Sequence, residues 1–530
     1  MHAGKRDSTS GAKVSIWTRS AETPMYPAVP AGLSPDVCII GAGITGLSIA
    51  YTLVERGHSV VVVDDGAIGS GETGRTTAHL SNAVDDRYYV LEAMHGRDKA
   101  RVVADSHTAA IDRIETIAAR EGIPCGFERV PGYLFASPDE DASFLDREFE
   151  AAIRAGLAPV KVARAPVPTF ETGPALEFPG QAQFHPLRYL AGLAEAIERK
   201  GGRIFCGAHA EEIKGGTEAR ITLRSGHVIH PRHVVVATNV PVNDMFTMHT
   251  KLAPNRSYVI AAHIPEGQIP KALLWDSAHP YHYVRTAAGA DNTAGQELLL
   301  VGGEDHPTGH ADDYDGRYAR LEMWMRSRYP EAGVIHARWS GQIIETIDGM
   351  AYIGRNPADA DNVYIATGDS GNGLTHGTIA GMLIPDLIEG RENPWTETYS
   401  PSRITLKAVG EFARTNAKAA VHMADWFKGH ETEDEREIPI GSGAVVRHGL
   451  SHIAAYRDEG GLLHRMSAAC PHMKALVTWN ASERTWDCPF HGSRFDCRGH
   501  VINGPANADL SRLQAEEQPA AAAGLDQPLP

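Results

Sequence analysis

The chain has 530 residues, 42% hydrophobic and 22% charged, with a formal net charge of −16. That length exceeds one ordinary core and suits roughly two to four folding units, while the acidic balance excludes nucleic acid or an anionic membrane surface as a main partner. No apolar run reaches spanning length and the first thirty residues hold no apolar signal core, so a cytoplasmic protein without membrane insertion is expected.

In chain order, residues 1–33 read as an N-terminal extension. Val37–Ile40 then reads as a buried strand that stops at Gly41, followed by a helix through ITGLSIAYTLVERG and a second strand, Ser59–Val63, ending in Asp64. This is a βαβ unit of ordinary length. Helices such as PLRYLAGLAEAIERKG then alternate with short strands (RIFCG, ARITL, HVVVAT). Residues 251–335 are expected to form an inserted mixed sheet, and a strand at NVYIATG leads into a helix from about Gly377 to Ile388. Residues 411–436 read as a linker. Short β pieces separated by turn residues then fill 437–515, which suits a small all-β module, and 516–530 read as a disordered tail. The expected fold class is an α/β (α+β) Rossmann-type domain, 34–410, with an inserted substrate domain, plus that all-β module.

GAGITG places Gly41, Gly43 and Gly46 directly after a strand and at the start of a helix. Gly41 permits the tight turn, Gly43 lets the backbone approach a pyrophosphate, and Gly46 permits close helix–strand packing. The helix N-terminus offers N–H groups to phosphate, and Asp64 stands where a carboxylate can bond ribose hydroxyls. Together they point to a dinucleotide. No second strand–GxGxxG–helix unit follows, which counts against a pyridine-nucleotide reductase.

The loop GAIGSGETGRTTAHLS and the segment VYIATGDSGNGLTHGTIAGMLIPDLI extend this reading. Together with GAGITG they resemble the FAD-binding elements of the D-amino-acid oxidase/glycine oxidase family of flavoproteins. The resemblance implies FAD contacts at Arg75, Thr76 and Thr77 in the loop, and at Gly368, Gly371, Gly373 and Thr375 where the last helix points at the flavin. It implies non-covalent FAD, since the late segment holds no cysteine and His79 is offset from the tethering position. PNRSYVIA, PYHYVRT and RWSGQIIETIDGMAYIGR resemble the family's substrate domain and its return. Tyr258, Tyr283 and Arg285 are candidate substrate contacts, because an arginine fork with tyrosines suits a carboxylate. Each could equally be a sheet or core residue. No acid–base residue is assigned.

Six cysteines in so long a chain make no disulfide framework. Cys38 reads as core, Cys125 and Cys206 as structural, and Cys497 as a structural or incidental thiol. Cys470-x-His472 and Cys488-x-x-His491, fifteen residues apart, carry the ligand set of a Rieske [2Fe–2S] cluster, in which two thiolates hold one iron and two imidazoles the other. The competing reading is a structural zinc site, although zinc fingers pair like with like and these loops each pair Cys with His. HGSRFD, Gly499 and Gly504–Ala506 also resemble the Rieske family. In that family's respiratory members, Ala475 and Phe490 would be disulfide cysteines, Ser493 a serine bonded to sulfide, and Phe495 a tyrosine donor. A potential between ferredoxins and respiratory Rieske proteins is therefore expected.

The combined reading is a flavin-dependent dehydrogenase for a small amine or amino-acid-like substrate. Electrons would pass singly through the cluster to an external acceptor. A ferredoxin-fed reductase running in reverse and a non-catalytic redox sensor are the alternatives. A Rieske oxygenase is set aside, because fewer than forty residues follow His491, too few for its iron domain.

Overall fold

The computed structural model describes residues 11–243, 248–288, 295–405, 434–449 and 451–513. Residues 411–433 of the expected linker (411–436) and the expected tail lie outside these residues.

Val37–Ile40 and Val60–Val63 are the paired centre of a six-stranded sheet. Its order is Tyr352–Arg355, Val363–Thr367, His233–Val236, Val37–Ile40, Val60–Val63 and Arg203–Phe205, parallel except for the first. Strands buried on both faces carry continuous apolar runs. Here Val37, Ile39, Val60 and Val62 face a core shared with the helices Ile44–Glu55, Pro186–Arg199 and Gly373–Ile388. Cys38, Ile40, Val61 and Val63 face a second core under a three-stranded antiparallel sheet, Ala210–Lys214 to Val228–Ile229. The last helix begins at Gly373, one turn before the expected Gly377, because the turn at Gly371 and Asn372 already leads into it.

The second layer is a nine-stranded mixed sheet. Its strands Leu252–Pro265, Leu273–Asp276, Tyr283–Ala288 and Gln296–Pro307 belong to the expected insertion, whereas Ile335–Thr346 starts only at the expected end of that insertion. The sheet also takes in His79–Leu80, Glu128–Phe135, Val160–Val162 and Ala175–Gln183, and is therefore wider than residues 251–335. The join is a parallel pairing of Leu273–Asp276 with Gly132–Phe135, a contact between distant segments that local patterning cannot show. Helix Tyr314–Arg328 covers one face with Tyr314, Tyr318, Leu321 and Met325.

The C-terminal module holds two small antiparallel sheets, of three and four strands. From residue 11 onward the N-terminal extension is built into the fold. Ile16 and Trp17 are buried, the Trp17 indole N–H donates to Thr76 O (2.6 Å), and Ala12 N–H donates to Glu483 O (2.9 Å) in the C-terminal module.

Candidate functional site

A cleft of about 2180 Å³, its open mouth included, is lined from both large sheets. Of the residues expected to contact FAD, Gly41, Gly43, Asp64, Arg75, Thr76, Thr77, Gly371 and Gly373 line it. Gly46, Gly368 and Thr375 do not. A Cβ at Gly46 would run into the Gly41 carbonyl, so that glycine serves packing. Gly368 (φ +72°) shapes the turn before the last helix, and Thr375 Oγ1 donates back to Asn372 O (3.0 Å).

Two helices start at the cleft wall, at Ile44 and Gly373. Neither N-cap, Gly43 nor Asn372, supplies a side-chain hydrogen bond. Such starts carry positive dipole and suit anionic groups. The Ile44 N–H donates to Thr73 Oγ1 (3.2 Å). Asp64 accepts from Ala42 N–H (2.6 Å) and Gly66 N–H (2.7 Å), while burial and the adjacent Asp65 charge raise its pKa to about 7.

At the other end Tyr283 lines the cleft, its hydroxyl 2.7 Å from Ser257 Oγ. Tyr258 does not; its hydroxyl is hydrogen-bonded to His306 Nε2 (2.9 Å). Arg285 is also turned away. Its buried guanidinium donates to Thr77 O (3.1 Å) and Ala78 O (2.7 Å), and so holds the 76–78 loop from behind. The cleft instead presents Asp85, which accepts from Tyr281 O–H (3.1 Å), and Asp369, whose pKa burial raises to about 7. Sequence reading missed Asp85 and Tyr281; the acidic pair in SNAVDD, beside the cofactor loop, was the available signal. It also missed Gln342. This buried side chain lines the cleft, donates from Nε2 to Gly492 O (2.9 Å), and leaves its own Oε1 without a hydrogen-bond partner.

The four Cys and His residues of the C-terminal module come together at two turns. Lys474 N–H closes onto Cys470 O (2.9 Å) and Gly492 N–H onto Cys488 O (3.1 Å). The Cys470 and Cys488 thiols are buried and in hydrogen-bond contact. The His472 and His491 rings lie 5.0 Å apart, and His249 of the large domain packs 4.8 and 5.6 Å from them. His491 Nδ1 is buried without a hydrogen-bond partner. Burial, then the neighbouring His249 and His472, lowers the His491 pKa to about 3, leaving the neutral ring that a metal needs. Among the described residues no three Cys, His, Asp or Glu side chains are grouped for a single ion. Two thiols and two imidazoles fit a cluster that divides them between two irons. Ser493 contacts Cys470 through its hydroxyl, which also accepts Ala506 N–H (2.9 Å).

The module's docking is anchored by buried charge. Glu483 lies 3.4 Å from Arg75 and 3.9 Å from Arg256, and all three are nearly inaccessible. The Arg75 guanidinium, expected near cofactor, also donates to Ser340 O (2.6 Å), Gly11 O (2.9 Å) and Lys13 O (2.7 Å).

Residues 36–387 match the family model of the FAD-dependent oxidoreductases, DAO. The chain belongs to that family. Residues 430–514 match the Rieske [2Fe-2S] domain. This FAD-dependent oxidoreductase is 32% identical over 502 residues to the putative Rieske 2Fe-2S iron-sulfur protein YhfW of Bacillus subtilis (strain 168), covering 94% of this chain and 97% of that one. It is 30% identical over 373 residues to gamma-glutamylputrescine oxidoreductase of Escherichia coli (strain K12), covering 67% and 84%. Its fold matches crystalline glycine oxidase from Geobacillus kaustophilus, with a TM-score of 0.58 at 18% identity over 70% of this chain and 100% of that one. The protein is thus an oxidoreductase with two cofactors, FAD and a Rieske [2Fe–2S] cluster. Among the described residues no helix is long and apolar enough to cross a membrane.

Proposed function

We propose that this protein is a dehydrogenase for a small amine or amino-acid-like substrate, delivering electrons singly through the Rieske cluster to an external acceptor. The observation that carries this reading is Gln342, which lines the flavin cleft and donates to the carbonyl beside His491. One side chain thereby touches both cofactor sites. Bound FAD supplies acceptance of a hydride and release of single electrons.

Cys470, His472, Cys488 and His491 are the cluster ligands in this reading. Gly41, Gly43, Asp64, Thr76, Thr77, Gly371 and Gly373 line the FAD site, with FAD held non-covalently. With FAD bound in the cleft, a cationic amine would lose one N–H proton to solvent and a C–H hydride to the cofactor, leaving an iminium. The two electrons would then leave singly. Asp85 and Asp369 favour a cationic amine at the substrate end, and Tyr281 and Tyr283 supply walls and hydroxyls. The turning away of Arg285 removes the expected carboxylate fork, and the likeness to gamma-glutamylputrescine oxidoreductase agrees with an amine.

Anaerobic mixing with amines, amino acids and hydroxy acids tests the reading. An amine should bleach the flavin absorbance and then raise the EPR signal of the reduced cluster. If none of the panel bleaches the flavin while a reduced ferredoxin does, the reading fails.

A further inference from the structure

The Rieske domain reaches the flavin cleft by a second route, in the segment that follows its second cluster turn. Val501, Ile502, Asn503, Gly504, Ala506 and Asn507 line the cleft wall. Asn507 Nδ2 donates to Ala210 O (2.8 Å) and Glu211 O (3.0 Å), and Asn507 O is hydrogen-bonded to His209 Nε2 (3.1 Å). Asn503 Nδ2 donates to Glu72 Oε1 (2.9 Å). A Cβ on Gly504 would stand 3.0 Å from Val242 Cγ1. Ala208, beside these contacts, donates its N–H to Asp64 O (2.8 Å), so the segment lies at the nucleotide end of the cleft.

We propose that the Rieske domain is part of the FAD site: its segment 501–507 closes the cleft at the Asp64 end, and FAD leaves only when that segment lifts. The proposal rests on FAD occupying this cleft and is independent of which substrate reduces it. Binding and closure are then linked, so FAD holds the Rieske domain down as the Rieske domain holds FAD in. The contacts are hydrogen bonds from side-chain amides and small apolar residues, and their charged partner, Glu72, is only half-buried, so the surface can open without stranding a buried charge.

The test is FAD release from the full-length holoprotein, followed as the rise in free-flavin fluorescence after dilution. The Asn503→Ala/Asn507→Ala variant loses three side-chain donations and should release FAD about tenfold faster, with the EPR signal of the reduced cluster unchanged. A Val242→Cys/Gly504→Cys variant brings two Cβ atoms within about 4.5 Å, the span of a disulfide. Once oxidised it should release FAD at least about tenfold more slowly, and thiol reduction should restore the rate. Release at the wild-type rate from the cross-linked protein overturns the proposal. So does an unchanged rate in the double alanine variant, or flavin retained covalently on acid-precipitated protein. None of these outcomes bears on whether an amine is the substrate.

Discussion

Two of the patches through which the Rieske domain meets the flavoprotein body differ in character. One is charged and buried: Glu483 faces Arg75 and Arg256, and the Ser340 hydroxyl donates to its carboxylate (2.5 Å). The other is largely uncharged: Asn503 donates to the half-buried Glu72 carboxylate, and Asn507 bonds His209 and the backbone carbonyls of Ala210 and Glu211, around glycine and alanine. Breaking a buried ion pair from one side strands a charge in a low-dielectric interior, whereas an opened amide contact hands its groups to water. The charged patch is therefore the costlier of the two to open, and the amide-rich patch the cheaper.

The sharpest way to break this contrast is Glu483→Gln. It leaves Arg75 and Arg256 facing a neutral amide and should cost about 3–5 kcal/mol, read as a large fall in the denaturant midpoint. A loss as small as that of an amide substitution would erase the distinction between the patches.

Acid should act on the same patch. Burial pushes the Glu483 carboxyl up, but Arg75, Arg256 and Arg494 outweigh it and hold the pKa below the ordinary value. A folded pKa below the unfolded one gives stability that is fully present above about pH 4.3. That stability is lost as pH falls through the folded value. Melting profiles should be flat in this component near pH 6 and fall below about pH 4, and Glu483→Gln should remove that acid limb.

Gln342→Leu gives an intermediate effect. It leaves the Gly492 carbonyl without its donor, at about 1–3 kcal/mol, and should slow flavin-to-cluster electron transfer in stopped-flow traces. Transfer at the wild-type rate would show that Gln342 only supports docking. Ser493→Ala should have the smallest effect on stability. By removing a hydroxyl from the cluster's sulfur environment it should lower the potential by tens of millivolts, about one hydrogen bond's worth; an unchanged potential in a redox titration would place the hydroxyl's role in the Ala506 contact alone.

The nucleotide-binding unit was legible because it is local. GAGITG, its flanking strands and Asp64 lie within 28 residues, and each glycine has a stated steric task. The cluster ligands were legible for the same reason, as two short turns carry all four. What escaped is non-local. Arg285 looked like a free fork because nothing near it in sequence announces Thr77 and Ala78, more than 200 residues away. The mixed sheet exceeded residues 251–335 because strand partners such as Gly132 and Leu273 share no local pattern. Glu483, in NASERTW, reads as an ordinary polar turn residue, and only the fold sets two arginines beside it.

The contact of Ala12 and Lys13 with Glu483 has a consequence in time. Lys13 N–H donates to Glu483 Oε2 (3.0 Å) across 470 positions of chain. At about 5–20 residues per second, a ribosome needs roughly 25–95 s between making one partner and the other. For that interval Trp17 and its neighbours, and the Arg75 guanidinium they help to enclose, wait without their last carboxylate. Closing that seam must wait until the C-terminal module has been made.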